Sequence, residues 1–148
     1  MDIMIARIAH VSGAMMWVGG TVFLVAVGVP YARSLGPEQR VRAISELGRR
    51  FRPWGWASLG LLTFSGVYMM ARLHLLSWDL LVNTGYGRLL LLKLVLVAAI
   101  VILTALHCFV LGPRAAAGEV SPSAVRAVAR SSAVLTVVVP VIGVLLAH

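Results

Sequence analysis

The chain has 148 residues, of which 60% are hydrophobic and only 12% are charged, and its mean hydropathy is +0.95. Soluble domains carry about 25% charged residues, so this composition excludes an ordinary soluble protein and indicates an integral membrane protein. The net charge of +8 comes largely from arginines between the apolar runs, which favours the anionic headgroups of a lipid bilayer as their partner and gives no reason to expect nucleic acid.

Four apolar stretches are candidates for membrane-spanning helices. A helix needs about 20 apolar residues to cross the hydrocarbon core, and the stretches cover residues 3–29, 54–74, 86–111 and 131–147. The first is too long for the core of a cleaved signal peptide, so we expect it to be retained. The last carries Pro140, which should kink the helix. The sequence predicts an all-α fold, with residues 1–148 forming a single integral membrane four-helix bundle.

The connection between the first two spans predicts an additional helix. Gly36 and Pro37 give a break followed by a residue suited to the first helical position, and apolar residues then recur at near-helical spacing. These residues are Val41, Ile44, Leu47 and Phe51. We therefore expect residues 37–51 to form a short amphipathic interfacial helix between helices one and two, with arginines reaching lipid phosphate. A solvated basic loop that only sets topology is the alternative.

Arginines predict the orientation of the spans. They are concentrated between helices one and two and between helices three and four, and few lie on the opposite side. The positive-inside rule places both arginine-rich connections in the cytoplasm. Both termini are therefore expected to face outward.

Ionisable side chains inside or at the rims of the spans mark the candidate site, because such groups cost several kcal/mol in hydrocarbon. They are His10, His74, Lys93 and His107. At about 1.5 Å per residue, the first three converge with His148 on the outer leaflet. The histidine at position 107 and its neighbour Cys108 stand apart, near the inner face. His10 and His74 are the pair expected to share a metal, with His148 in reserve.

Each of these residues also has a purely structural interpretation. His10 could be a neutral imidazole that hydrogen-bonds a neighbouring helix, and His74 could simply lie at the interface. Lys93 could extend its ammonium toward the headgroups, or it could neutralise a haem propionate or another anion.

Methionines add a second type of soft ligand. All six lie in or before the first two spans, and Met70 shares a helical face with His74, four residues further on. A thioether with an imidazole suits Cu(I), and it also suits packing against a porphyrin. Methionine is nevertheless a common filler in membrane helices. No acidic residue lies inside a span, so we do not expect a proton-driven transporter.

Several motifs follow one another along the first three spans. They are His10 with Trp17-Val18-Gly19-Gly20, Phe51-Arg52, Ser65-Gly66-Val67-Tyr68, and Tyr86-Gly87-Arg88 with Lys93. In this order they resemble the copper-resistance protein D (CopD) family, in its small stand-alone branch. The resemblance covers the first three spans. It implies a bacterial-type inner (plasma) membrane protein linked to copper, with a separate periplasmic copper carrier as a candidate partner. The spacing of His10 and Trp17 is also similar to that in HemJ-type protoporphyrinogen oxidases, which are associated with haem b.

These inferences predict a haem b-binding membrane redox protein of the copper-resistance D type, a candidate oxidoreductase. It would pass electrons between an outer-face partner, with copper as a candidate, and a membrane partner such as quinone. The expected cofactor-binding residues are the axial ligands His10 and His74, the reserve ligand His148, the propionate partners Lys93 and Arg88, and the porphyrin contacts Trp17 and Met70. The alternatives are a haem-free copper transporter or channel with Met and His ligands, a cofactor-free structural or assembly subunit, and porphyrinogen oxidation. A homodimer is compatible with each.

Overall fold

The computed structural model describes residues 2–119 and 121–145, and this part of the chain contains five helices and no strand. Helix α1 comprises Ile3–Phe23, a π-helical segment Leu24–Gly28 and Val29–Ser34, without interruption. Helix α2 is Pro37–Arg72 and α3 is Trp78–Asn83. Helix α4 comprises Gly85–Ala105, a second π-helical segment Leu106–Leu111 and Gly112–Ala116, and α5 is Pro122–Leu145.

The helices belong to two compact units, Met1–Leu76 and Ser77–His148. In the first unit α1 and α2 pack antiparallel, since Gly13 of α1 faces Leu62 and Gly28 faces Leu47. Its buried apolar residues include Ala6, Trp17, Leu59 and Met70. The second unit contains α3, α4 and α5, and its buried apolar residues include Leu81, Leu90, Ile100 and Ile142.

Three of the described helices are long and apolar enough to cross a membrane, over Ile3–Ser34, Gly85–Ala115 and Ser123–Val144. Many of their large apolar side chains are exposed, among them Met15, Phe23 and Val95, as expected of surfaces that face lipid. The prediction of an all-helical membrane protein is confirmed at this level. Residues 54–72 of the predicted span 54–74 lie in α2. This helix is not among the three, so the four-helix bundle stays a prediction.

Helix α2 corrects one boundary of the sequence prediction. Residues 37–51 are not a separate interfacial helix but the first part of a 36-residue helix that passes through Pro53. Proline removes one backbone donor, yet a helix can continue past it when neighbouring elements hold its two sides. Here Phe51 and Gly55, on either side of Pro53, both pack against α1. At about 1.5 Å per residue, α2 is about 54 Å long, which exceeds the hydrocarbon thickness of about 30 Å.

The first part of α2 is exposed and charged. The carboxylate of Glu46 accepts hydrogen bonds from the guanidinium groups of Arg49 and Arg50, one turn further on. Hydrogen bonds from Arg49 and then Arg50 hold the pKa of Glu46 below its ordinary value. Because both arginine side chains are exposed, these ion pairs add little to stability.

The helices of the second unit approach closely at two places. The hydroxyl of Thr84 caps α4 by accepting a hydrogen bond from the Gly87 N–H at 2.9 Å, and it donates to the Leu80 carbonyl at 2.8 Å. Further along, the hydroxyls of Thr104 and Ser132 lie 3.4 Å apart, between α4 and α5. Helix α5 continues through Pro140 and begins at Pro122, before the predicted start of the fourth span.

Candidate functional site

The imidazole of His10 is held between α1 and α2. Its Nδ1 lies 3.1 Å from the carbonyl oxygen of Leu62 and 3.1 Å from the hydroxyl oxygen of Ser65. The ring also packs against the bare backbone of Gly66, since a Cβ built there would lie 3.3 Å from its Cε1. Ser65 is fully buried and His10 is half-buried. We call these contacts to Leu62, Ser65 and Gly66 the His10 clamp. They suit a metal ligand, and they also suit an imidazole with a purely structural role.

Along the axis of α2, Met70 lies about one turn from the His10 clamp. It is four residues after Gly66 and therefore on the same face of α2, and it is only 9% exposed. Helical side chains lean toward the N-terminus, so a side chain at position 70 covers the turn that begins near Gly66. The imidazole of His10 at the α1–α2 interface and the thioether of Met70 on α2 thus lie at neighbouring levels along α2.

His74 follows the C-cap residue of α2, Leu73, and is exposed. Its N–H donates to the Ala71 carbonyl at 3.3 Å, and the next N–H, of Leu75, donates to the Met70 carbonyl at 2.9 Å. This is the Schellman arrangement, in which the residue after the C-cap adopts the left-handed conformation, and His74 has φ 54°. The local sequence offers no glycine for this position, so histidine takes a strained backbone conformation there.

We expect His74→Gly to stabilise the first unit by about 0.5–1 kcal/mol, the usual scale of an improved helix cap, because glycine adopts positive φ without a Cβ penalty. Thermal unfolding in detergent measures this change. His74→Val is the opposite control, since a β-branched residue at positive φ should lower the melting temperature. Equal melting temperatures for the two variants would contradict the strained cap.

The structure does not bring His10 and His74 to one level. The ring of His10 contacts α2 at Ser65, and His74 lies nine residues further on, about 13 Å along the helix axis. Two axial histidines of one haem iron must lie about 4 Å apart across the metal. His10 and His74 are therefore not placed to bind one haem iron together, and the reserve ligand His148 lies outside the described residues.

Trp17 packs into the α1–α2 interface and is 8% exposed. Its ring centroid lies 6.3 Å from that of Phe51 with an interplanar angle of 31°, and a Cβ at Gly55 would lie 3.1 Å from its Cζ3. Trp17 and Met70, both predicted to contact a porphyrin, are both buried.

The remaining predicted residues lie in the second unit. Lys93 of α4 is half-buried, and its Nζ lies 3.5 Å from the position of a Cβ at Gly143 of α5. Arg88 donates from Nε to the Val82 carbonyl at 3.0 Å, near the end of α3. His107 and Cys108 are half-buried in the π-helical segment of α4.

Among the described residues, no group of three or more His, Cys, Asp or Glu side chains could hold a metal ion. These ligand types include the soft thiolate of cysteine but not the thioether of methionine. Cu(I) is soft and accepts a low number of imidazole and thioether ligands. A copper site in the first unit would therefore rely on His10 and methionine.

Sequence reasoning did not assign a role to Ser65, Gly66 or the Leu62 carbonyl. The Ser-Gly pair is visible as part of a motif, but only the packing of α1 on α2 shows that it meets His10. The Leu62 carbonyl is a backbone group and leaves no signal in the residue types.

Two comparisons with known proteins, one with family profiles and one with single proteins, indicate the same family. Residues 45–147 match the sequence profile of the family described as Copper resistance protein D. The Copper transport protein CutJ of Bacillus subtilis (strain 168) is 34% identical over 98 residues, which are 66% of this chain and 17% of that protein. This chain therefore corresponds to a small part of that relative. No solved structure matches the chain.

Proposed function

The chain belongs to the copper resistance protein D family, and on that premise we propose that it transports copper across a membrane. The relative that it resembles over 98 residues is named a copper transport protein. The family match covers α2 from residue 45 onward, with Ser65, Gly66 and Met70, and it leaves out α1 with His10. The proposal places the copper-binding residues where these two helices pack.

The observation that carries the proposal is the imidazole of His10, held against α2 by the Leu62 carbonyl and the Ser65 hydroxyl. Metal-binding histidines usually donate their second ring N–H to a carbonyl or carboxylate, which orients the ring and raises its basicity. An imidazole oriented in this way inside an apolar helix pair is suited to a soft cation.

Met70 supplies the second ligand of the proposed Cu(I) site. It lies on the face of α2 that carries Gly66, and it is buried. Further thioethers, at Met4 and Met16, are exposed along α1. Transport needs sites that bind the ion well enough to admit it and weakly enough to release it, and sites with few thioether and imidazole ligands meet both needs.

The expected setting is a bacterial-type inner membrane with both termini outside, because the arginine-rich connections favour the cytoplasmic side. A separate copper carrier on the outer side would then deliver the ion. Labelling of single cysteines introduced near each terminus in intact cells tests this orientation.

Competition with a chromogenic Cu(I) chelator, on protein purified in detergent, tests the binding site. We expect about one Cu(I) per chain, and a loss of affinity of at least about 100-fold in His10→Ala, since even residues that only orient a ligand contribute about 10–100-fold. Met70→Leu should weaken binding by about 10-fold, because it keeps the volume and removes the sulfur. Met15→Leu is the matched control and should bind as the wild type does, because Met15 is 72% exposed.

Uptake of Cu(I) into proteoliposomes then tests transport itself. Vesicles with the wild-type protein should accumulate copper, and vesicles with His10→Ala should not. Wild-type affinity of His10→Ala for Cu(I), or no copper accumulation with the wild type, would contradict the proposal.

A haem b protein that transfers electrons to a partner such as quinone is the second candidate, and it has less support because His10 and His74 do not meet. Absorbance of the purified protein separates the two. We expect a colourless preparation. A stoichiometric Soret band that His10→Ala removes would instead favour haem, and a protein that binds neither haem nor copper would favour a structural or assembly subunit.

A further inference from the structure

The hydroxyl of Ser65 donates its proton to a hydrogen bond within α2. Its Oγ lies 2.6 Å from the Leu61 carbonyl oxygen, four residues back, and 3.3 Å from that of Leu62. Serine in an apolar helix commonly donates to a carbonyl of its own preceding turn. The hydroxyl therefore presents lone pairs, not its proton, to the Nδ1 of His10.

The Leu62 carbonyl oxygen is the second neighbour of Nδ1, at 3.1 Å. A carbonyl can only accept a hydrogen bond. If Nδ1 of His10 were unprotonated, its lone pair would face two oxygens at 3.1 Å, in a helix interface where repulsion is poorly screened. The same contacts are favourable when Nδ1 carries a proton.

We propose that α2 holds neutral His10 as the Nδ1–H tautomer, so that Cu(I) binds through Nε2, with Ser65 and Gly66 as positioning residues for that ligand. The metal part of this proposal rests on the proposed function. The tautomer itself does not, because it is a property of the protein without metal.

Gly66 sets how far the ring reaches into α2. A Cβ there would lie 3.3 Å from Cε1 and 3.6 Å from Nδ1 of His10, which is tighter than an ordinary van der Waals contact at the first of these atoms. An alanine would therefore push the ring away from α2 and lengthen both hydrogen bonds without removing either acceptor. Gly66→Ala tests the position of the His10 ring, whereas Ser65→Ala tests one of the two oxygens that accept a hydrogen bond from it.

Nitrogen NMR of the metal-free protein, labelled with ¹⁵N-histidine, measures the tautomer, and the His10→Gln spectrum assigns the signals. In the wild type we expect His10 to be protonated at Nδ1. Ser65→Thr should keep this state, because it keeps the hydroxyl, while Ser65→Ala and Gly66→Ala should show a mixture of the two neutral tautomers. A wild-type His10 protonated at Nε2 would overturn the proposal.

Ser58→Ala is the matched control. Ser58 is also buried in α2, at 2% exposure, and its hydroxyl also donates to a carbonyl one turn back, that of Trp54 at 2.7 Å. Its loss removes the same kind of hydrogen bond, so a merely structural effect of Ser65→Ala should be matched by Ser58→Ala. We expect Ser58→Ala to leave the tautomer and the Cu(I) affinity unchanged, and Ser65→Ala to lower the affinity by about 10-fold, within the range for residues that orient a ligand. Equal affinities for Ser58→Ala and Ser65→Ala would overturn the positioning role.

The two proposals fail in different ways. An Nδ1–H tautomer in a protein that binds no Cu(I) would refute the copper function and leave the clamp on His10 in place. Cu(I) binding that depends on His10, together with an Nε2–H tautomer, would support the copper function and refute the positioning role of Ser65 and Gly66.

Discussion

Gly87→Ala is expected to destabilise the second unit by about 4 kcal/mol or more, a loss that few single substitutions reach. A Cβ at Gly87 would lie 1.9 Å from the Leu80 carbonyl oxygen and 2.7 Å from the Leu81 Cα. These are backbone atoms of α3 and cannot turn away as a side chain can. The Thr84 hydroxyl, bonded to both Gly87 and Leu80, holds the two helices at this distance. Thermal unfolding and the yield of monodisperse protein in detergent measure the loss.

Gly85→Ala is the control for this prediction. Gly85 is the first residue of α4, and a Cβ built there meets nothing within 4 Å. Its replacement should change stability by no more than about 0.5 kcal/mol, as for most exposed sites. A normal melting temperature for Gly87→Ala would contradict the close approach of α3 to α4.

Gly20→Ala is expected to destabilise the first unit by about 2–3 kcal/mol, at the upper end of the cost of overpacking. A Cβ at Gly20 would lie 2.3 Å and 2.7 Å from two atoms of the Phe51 ring. The ring has little room to retreat, because a Cβ at Gly55 would lie only 3.4 Å from its other side and Trp17 packs beside it. The melting temperature of the protein in detergent is the measurement.

The adjacent glycine provides a matched control. A Cβ at Gly19 meets nothing within 4 Å, so Gly19→Ala should keep or raise stability, because alanine favours a helix over glycine by about 1 kcal/mol. Phe51→Leu should relieve part of the clash in the Gly20→Ala background, and a double-mutant cycle would show this as non-additive changes in the free energy of unfolding. Additive changes would contradict direct packing of Phe51 on Gly20.

These glycines show how far the motifs could be interpreted without a structure. The sequence shows Trp17-Val18-Gly19-Gly20 and Tyr86-Gly87-Arg88, but the residue types do not tell which glycine meets another helix. The packing separates them, since Gly20 and Gly87 face an atom at short range and Gly19 does not. This distinction depends on the rotation of each helix about its axis, which a neighbouring helix sets.

For the candidate site, too, the sequence identifies residues and only the structure identifies their contacts. An ionisable group in an apolar helix costs free energy, so the sequence alone singles out His10. The helical repeat places Met70 and His74 on one helical face. The level at which the His10 ring meets α2 comes only from the structure, however. The ring contacts Leu62 and Ser65, which places it closer in level to Met70 than to His74, and His74 follows the C-cap of α2 at positive φ.

The sequence by itself determined that the chain is an all-helical membrane protein, because composition and runs of apolar residues are local properties that need no partner. Only the tertiary structure decided that α2 continues through Pro53 and which backbone carbonyl and hydroxyl meet the imidazole of His10. Both outcomes follow from the register of two antiparallel helices. That register is set by the fit of glycines against large side chains more than 30 residues away in the chain, such as Gly20 against Phe51, and no local pattern of residues encodes it.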